Sequence, residues 1–291
     1  MIRALAHAKI NWTLDILSTR ENGYHDLDML MQSISLADEL TFEPADEVVL
    51  LTDGAPDPYG EKNLIVRAAR LLQSECGCSK GARITLEKKT PAMAGLGGGS
   101  ADCAAALIAL NQMWALGLRQ ERLLELGFRL GADVPFCLTG GLARVGGLGE
   151  IIRPLPCAVR PEMLLVMPDG GLSTGAVFGE YDRAVRRMPP VDTDRAEQML
   201  LAGDFKELEK CAANALTEPA MRVSAAVGQA IADMYAQGAL PSRMSGSGSA
   251  VFGVFSDAAA AARAQQTLNK KYDFCERITP SACGVEISEE I

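Results

Sequence analysis

Between residues 8 and 16 the apolar side chains fall on every second position: Ala8, Ile10, Trp12, Leu14 and Ile16 alternate with Lys9, Asn11, Thr13 and Asp15. Successive side chains of a strand point to opposite faces, so this stretch reads as a strand with one apolar face buried. Lys9, Asn11, Thr13 and Asp15 share the other face, which is either plainly solvated or lines a site. Ile84 and Leu86, alternating with Thr85 and Glu87, predict a second strand. Thr41 to Glu43, Val48 to Leu51, Met163 to Met167, Val251 to Val254, and Val285 with Ile287 are further strand candidates. Elsewhere the period is helical. Asn63 stands as the N-cap of a helix burying Leu64, Ala68, Leu71 and Leu72. A second helix runs from Cys103 towards a C-cap at Gly117, and a third, with Leu123, Leu126 and Leu130, starts near Arg119 and stops at Gly131. Later helices start at Ser173 or Thr174 and include Phe178, run from about Asp194 to Leu201, and extend from Asp257 to Lys271. One more, from about Met221 to Gln237, buries Val223, Val227, Ile231 and Met234. The prolines 154, 156 and 161 mark a composition shift, which divides the chain into two mixed α+β domains, 1–155 and 156–291.

Between the strand at Ile84 and the helix at Cys103 lies Pro91-Ala92-Met93-Ala94-Gly95-Leu96-Gly97-Gly98-Gly99-Ser100-Ala101-Asp102. Glycines carry no Cβ to hold a ligand away, so several backbone N–H groups can converge on one anion, and the unsatisfied donors of the following helix point the same way. A phosphate cradle or a flexible connection are the two readings. A Walker A loop would place lysine after Gly99, where Ser100 stands. The dinucleotide fingerprint would need glycine at Ser100 or Asp102. A second such loop, Met244-Ser245-Gly246-Ser247-Gly248-Ser249-Ala250, taken alone is a hairpin turn or bulge. Asn22-Gly23 is a turn signal followed by Tyr24 and His25, and Asp133 lies just past Gly131 and two residues before Pro135, in a turn.

Composition narrows the classes. With 291 residues, 48% hydrophobic and 22% charged, the chain can fill two globular cores. A net charge of −9 speaks against a nucleic-acid partner, which calls for basic patches, yet leaves a phosphorylated small ligand open. Cys76, Cys78, Cys103, Cys137, Cys157, Cys211, Cys275 and Cys283 show no second close pair at zinc spacing and read as reduced structural thiols. No basic segment followed by an apolar core stands at the start, and no apolar run reaches the ~18 residues of a bilayer span. The expectation is a cytoplasmic protein without membrane contact.

The Pro-x-x-x-Gly-Leu-Gly-Gly-Gly-Ser wording resembles the central motif of the small-molecule kinase superfamily named after galactokinase, homoserine kinase, mevalonate kinase and phosphomevalonate kinase. Three further stretches, Ala8-Lys9-Ile10-Asn11, Gly23-Tyr24-His25 and Gly131-Ala132-Asp133-Val134-Pro135, resemble the pattern of one branch, the diphosphocytidyl-methylerythritol kinases of isoprenoid synthesis, and Ser245-Gly246-Ser247-Gly248-Ser249 resembles the superfamily's third motif. The resemblance implies a ribosomal-protein-S5-like N-terminal domain and a ferredoxin-like C-terminal domain, with a cytidine diphosphate-linked polyol between them. It implies ATP phosphates on Pro91 to Ala101, Asp133 as the base for the substrate hydroxyl, and Lys9 beside it. It also implies substrate contacts from Asn11, Tyr24, His25, Thr174 and Phe178, and a third glycine motif, Gly246, Ser247 and Gly248, beside the phosphates. Mg²⁺ is expected with ATP; its protein ligand is unknown, Ser100 being a candidate. A monomer or weak homodimer is expected. Another kinase of the superfamily, homoserine- or mevalonate-like, and a non-catalytic nucleotide-binding module are the alternatives. Two departures stand out: Ala101 where the branch often has a second serine, and His7 where it often has proline.

Overall fold

The computed structural model describes residues 1–156, 158–168, 170–184 and 188–289; Cys157 lies outside them. The strand expected at 8–16 is the middle of β1 (Ile2–Thr19), which pairs antiparallel with β2 (His25–Ala45) through the turn at Asn22-Gly23. β2 begins at His25 rather than near Thr41. Its sequence hid this because Met29 to Ile34 are buried on both faces, so no alternation survives. β3 (Val48–Thr52) and β4 (Ala55–Pro56) follow, then α1 (Leu64–Cys76) and β5 (Gly81–Glu87). Asn63 Oδ1 caps α1 by accepting the Ile65 N–H at 2.9 Å. β3 and β5 are parallel, with α1 as their crossover.

α2 (Gly98–Met113) starts inside the glycine run and ends at Met113, short of the expected cap at Gly117. The chain turns there because the Trp114 indole N–H donates to Gly81 O at 3.1 Å. Ala101, Cys103, Ala104, Ala105, Ala106 and Ala109 are buried, small side chains that let α2 lie in the middle of its domain. α3 (Gln120–Leu130) ends before Gly131 as expected. Beyond it Ala132 and Asp133 form the expected turn, which leads directly into α4 (Val134–Thr139) with Asp133 at its N-cap. Pro135 stands in the first turn of that helix, where a missing N–H costs no hydrogen bond. β6 (Leu142–Gly147) and β7 (Ile151–Leu155) pair as an antiparallel hairpin.

The second half contributes β8 (Glu162–Met167), α5 (Thr174–Arg183), α6 (Thr193–Ala202), α7 (Phe205–Cys211), α8 (Thr217–Val223), α9 (Ala225–Ala236), β9 (Ser242–Met244), β10 (Val251–Phe255), α10 (Ala258–Leu268) and β11 (Phe274–Ile278). Its antiparallel sheet has the order β11-β8-β10-β9. The single helix expected over 221–237 is two, broken at Ser224 with φ −146 and ψ 114. That break leaves Met221 and Val223 41% and 42% exposed, while Val227 and Met234 are core. α10 is capped by Asp257 and stops at Leu268, short of Lys271. The last strand, β12 (Val285–Glu289), pairs with β1, so the first sheet reads β12-β1-β2-β5-β3-β4 with β6 and β7 attached to β2. Residues that a linear division at 155/156 puts in the second half thus complete the first sheet.

β1 is where the two halves meet. Its Ala8, Ile10 and Trp12 join Met163, Leu165 and Phe252 of the second sheet in one core, with the Trp12 and Phe252 rings edge to face at 5.2 Å. The opposite face is not solvated either: Lys9, Asn11, Thr13 and Asp15 are all buried. Polar groups removed from water cost free energy unless they are paired, so this face is the place to look for chemistry.

Candidate active site

A cleft of about 740 Å³ opens over the Lys9 and Asn11 part of that face. Lys9, Asn11, Pro91 to Ser100, Asp133, Thr174, Phe178, Gly246 and Ser247 line it. The structure therefore brings together residues far apart in the chain, and the tie is backbone geometry. Lys9 N–H donates to Leu96 O at 2.9 Å, fixing the first glycine loop against β1. Ala250 N–H donates to Ala94 O at 3.0 Å and the Ser245 hydroxyl to Gly95 O at 2.9 Å, fixing the second loop against the first. Ser247 and Thr174 share a hydroxyl hydrogen bond of 2.9 Å, which joins the third motif to the start of α5.

The anion-binding part is the start of α2. Ala101 N–H already donates to Gly97 O at 2.9 Å, so the free first-turn donors are those of Gly98, Gly99 and Ser100. Ala101 is buried and outside the lining, as is Gly248, whose added Cβ would meet Met244 Sδ at 2.7 Å. Around Gly99 the space is open, the nearest atom to an added Cβ being Leu64 Cδ1 at 4.0 Å. Gly97 has φ +66, and a Cβ there would lie 3.0 Å from both Cγ and Cε of Lys9. Gly97→Val is accordingly expected to strain the loop by about 1–3 kcal/mol and to push the Lys9 stem aside. ATP titration of the folded variant should show weaker binding together with lost turnover; unchanged ATP affinity would remove the cradle assignment.

Lys9 and Asp133 face each other across the cleft, Nζ to Oδ2 at 3.4 Å. Lys9 Nζ donates to Asn11 Oδ1 at 2.9 Å, which orients the ammonium and leaves further donors for a ligand. Asn11 is itself held, its N–H donating to Ser245 Oγ at 3.3 Å and its side-chain amide contacting Met29 Sδ. Asp133 enters α4, and its side chain remains a third exposed. A buried cation beside an accessible carboxylate, opposite a row of free N–H groups, is equipped to take a proton from an alcohol and to stabilise charge on a transferred anion.

The aromatic residues are placed differently from a simple sandwich. Phe178 is on the cleft wall, and His25 stacks on it with ring centroids 4.9 Å apart. Tyr181 meets His25 edge-on, and His25 Nε2 bonds Asp182 Oδ1 at 2.9 Å. Tyr24 projects outward, 63% exposed, and neither it nor His25 lines the cleft.

Three supports were not singled out from the sequence. Asn214 donates to Met244 O at 3.0 Å and to Gly246 O at 2.8 Å, holding the second glycine loop from below. Lys88, on the cleft wall, bridges Asp38 and Asp102 at 2.5 and 2.9 Å. Asp38 also accepts the N–H groups of Lys89 and Thr90 at 2.6 and 2.7 Å, which anchors the entry to the loop. Burial pushes the Asp102 carboxyl up to about 7, with the Lys88 ammonium opposing the rise. Asp102 stands in the glycine stretch and could have been flagged there; Asp38 and Asn214 carry no local signal, since each acts on a segment distant in sequence.

Similarity to known proteins agrees with this geometry. Residues 63–141 match the model of the GHMP kinases N terminal domain and residues 196–273 that of the GHMP kinases C terminal region. The chain is 42% identical over 260 residues to a 4-diphosphocytidyl-2-C-methyl-D-erythritol kinase of Pelotomaculum thermopropionicum, covering 88% of this chain and 90% of the relative. It is 37% identical to one of Caldanaerobacter subterraneus subsp. tengcongensis, over 98% and 99% of the two chains. A crystal structure of 4-(cytidine 5'-diphospho)-2C-methyl-D-erythritol kinase superposes with a TM-score of 0.81 at 36% identity, over 97% of this chain and 99% of that one. A homoserine kinase from Cytophaga hutchinsonii, at 20% identity and TM-score 0.74 over 99% and 97% of the chains, shares the fold. With its glycine loop, its Lys9–Asp133 pair and this likeness along almost its whole length, the chain belongs to the GHMP kinases and, within them, to the 4-diphosphocytidyl-2-C-methyl-D-erythritol kinase family.

Proposed function

We propose that the protein transfers the γ-phosphoryl group of ATP to the 2-hydroxyl of 4-diphosphocytidyl-2-C-methyl-D-erythritol, a step of non-mevalonate isoprenoid precursor synthesis. The observation that carries this reading is the Lys9–Asp133 pair, 3.4 Å apart, in one cleft with the free N–H groups at the start of α2. In this reading the N–H groups of Gly98, Gly99 and Ser100 hold the ATP phosphates, with the backbone from Pro91 to Ala101 shaping the cradle. Asp133 accepts the hydroxyl proton, and Lys9, beside it, balances charge on the transferred group. Asn11 and Thr174 position the polyol, and Gly246, Ser247 and Gly248 hold the back of the phosphate site.

The donors beside the loop, the Ser100 hydroxyl and the Asp133 carboxylate, are hard oxygens, which fits Mg²⁺ carried in on a triphosphate with most of its water retained. Ser100 is the residue we assign to hold it. The bound ion would neutralise phosphate charge.

We assign the cytidine end to Tyr24, His25 and Phe178. A pyrimidine needs flat apolar surface and a hydrogen-bonding edge. Phe178 on the wall supplies surface, and the exposed Tyr24 ring, which lies outside the cleft lining, would supply more on closing over the base. In neutral His25 the Nε2–H is committed to Asp182, so Nδ1 is an acceptor, suited to the amino group of cytosine and not to the oxo group of uracil. Steady-state kinetics test this. Free CDP should compete with the alcohol substrate. Tyr24→Ala and Phe178→Ala should raise KM for the cytidine substrate by about 10-fold while leaving that for ATP nearly unchanged, as expected for loss of about 1.4 kcal/mol of stacking. His25→Ala should narrow the preference for cytosine over uracil. Absence of CDP binding by protein that still binds ATP would move the chain to another alcohol kinase.

No helix among the described residues is long and apolar enough to cross a membrane. All seven described cysteines are free thiols, which supports a reducing, cytoplasmic setting. We further propose that the division near 155/156 separates an N-terminal ATP-binding domain from a C-terminal ferredoxin-like one. The net charge of −9 supports activity without nucleic acid, and a monomer or weak homodimer is the assembly we expect.

A further inference from the structure

His7, the departure from the branch's pattern, lies on β1 two residues before Lys9, outside the catalytic cleft. Its side chain is 7% exposed, and its Nδ1 lies 2.8 Å from Ile34 O. A carbonyl can only accept, so Nδ1 carries the ring proton and the lone pair of neutral imidazole is on Nε2. Nε2 faces Glu286 Oε1 at 2.9 Å, which also can only accept. Two acceptors at this distance require something electropositive between them. A second ring proton would serve, but a third donor stands at the same point: Cys283 Sγ is 3.6 Å from the same carboxylate oxygen.

We propose that His7, Cys283 and Glu286 form a binding site for one thiophilic divalent cation of the Zn²⁺ class. The three ligand atoms lie within 4.8 Å of one another. A zinc tetrahedron with bonds of about 2.0–2.3 Å has edges of roughly 3.3–3.7 Å, so small side-chain rotations complete it. Nitrogen, sulfur and oxygen in one set suit zinc better than Mg²⁺ or Ca²⁺, which take oxygen alone. The carbonyl of Ile34 does for His7 what outer-shell acceptors do for metal-bound histidines, fixing the tautomer with Nε2 directed at the ion. Water can supply the fourth ligand, since His7 borders a second cleft of about 480 Å³ and the Glu286 side chain is 54% exposed. On binding, the thiol proton leaves to solvent as the metal–sulfur bond forms.

The ligands come from the two ends of the chain. Glu286 pairs with Leu5 across the β1–β12 ladder, and His7 N–H donates to Gly284 O at 2.9 Å. An ion here would clamp the last strand to the first, next to Lys9, and so stabilise the strand that carries the catalytic ammonium.

Metal-free, nucleotide-free full-length protein should be titrated with Zn²⁺ against a chromophoric chelator, and separately with Co²⁺. One equivalent of Zn²⁺ is expected, with a thiolate-to-cobalt charge-transfer band for Co²⁺ and a higher melting temperature in the presence of Zn²⁺. Cys283→Ser should abolish the band and lower Zn²⁺ affinity by about 100-fold, the upper end of what losing even an outer-shell partner costs. Glu286→Gln should weaken binding without removing the band. Cys76→Ser/Cys78→Ser should bind like the parent. If His7→Gln does not fold, Cys283→Ser decides, because its side chain is only partly buried. Absence of stoichiometric binding by the parent, or a band that survives in Cys283→Ser, overturns the site.

Discussion

Asp133→Asn is expected to lower kcat by roughly 10²-fold or more, with ATP and CDP still binding. The substitution keeps the shape of the side chain at the start of α4 and removes its ability to take a proton. Lys9→Ala should also impair turnover, because Lys9 Nζ is 3.4 Å from the carboxylate and is oriented by Asn11 Oδ1. The two losses should not multiply in the double variant, since part of the lysine's effect runs through the aspartate. Single-turnover rates with saturating ligands, measured on variants whose melting temperatures match the parent, make the comparison. Full activity in Asp133→Asn would show that the base is elsewhere or that positioning alone suffices.

The second large effect is structural. Gly95 has φ +75, and an added Cβ would stand 2.1 Å from Ser245 O and 2.9 Å from Gly248 N. Those are backbone atoms of the second glycine loop, which cannot swing away as a flexible side chain would. Gly95→Ala is therefore expected to force the loops apart, breaking the bonds from Ala250 N–H to Ala94 O and from the Ser245 hydroxyl to Gly95 O. Overpacking and left-handed strain together should cost about 3 kcal/mol or more, with activity lost as well. Gly99→Ala is the control, since only Leu64 Cδ1, at 4.0 Å, lies near its new methyl. Denaturant unfolding compares the two. Equal stability would mean that the loops are not locked through Gly95.

Gly95 also shows how one residue can be legible and still be misread in cause. The glycine run is conspicuous in the sequence, and its role there is close approach to phosphate. In the structure Gly95 serves approach to a neighbouring loop, Gly97 makes room for the Lys9 stem, and Gly99 alone meets open space. Asp133 was equally visible in its turn after Gly131; the helix that follows at once was not, although a proline in the first turn of α4 breaks no helical bond.

By itself the sequence determined what local chemistry controls. Alternation placed β1 and β5, and short continuous apolar runs placed β8 and β10; caps placed the starts of α1 and α10; and the order of five short motifs pointed to a kinase with Lys9 and Asp133 at its centre. Tertiary structure alone decided everything that depends on which surfaces meet. It erased the alternation in β2 by burying both faces, split 217–236 into α8 and α9 at Ser224, and returned β12 to pair with β1. It decided between the two readings of the polar face of β1 by burying it with Lys9 and Asn11 in the wall of a cleft, and set His25 against Phe178 while leaving Tyr24 outward. The physical reason is the same each time. A periodic pattern records burial on one side of one element, whereas a second partner on the other side, or a contact between residues 150 or 280 positions apart, leaves no mark on the local sequence.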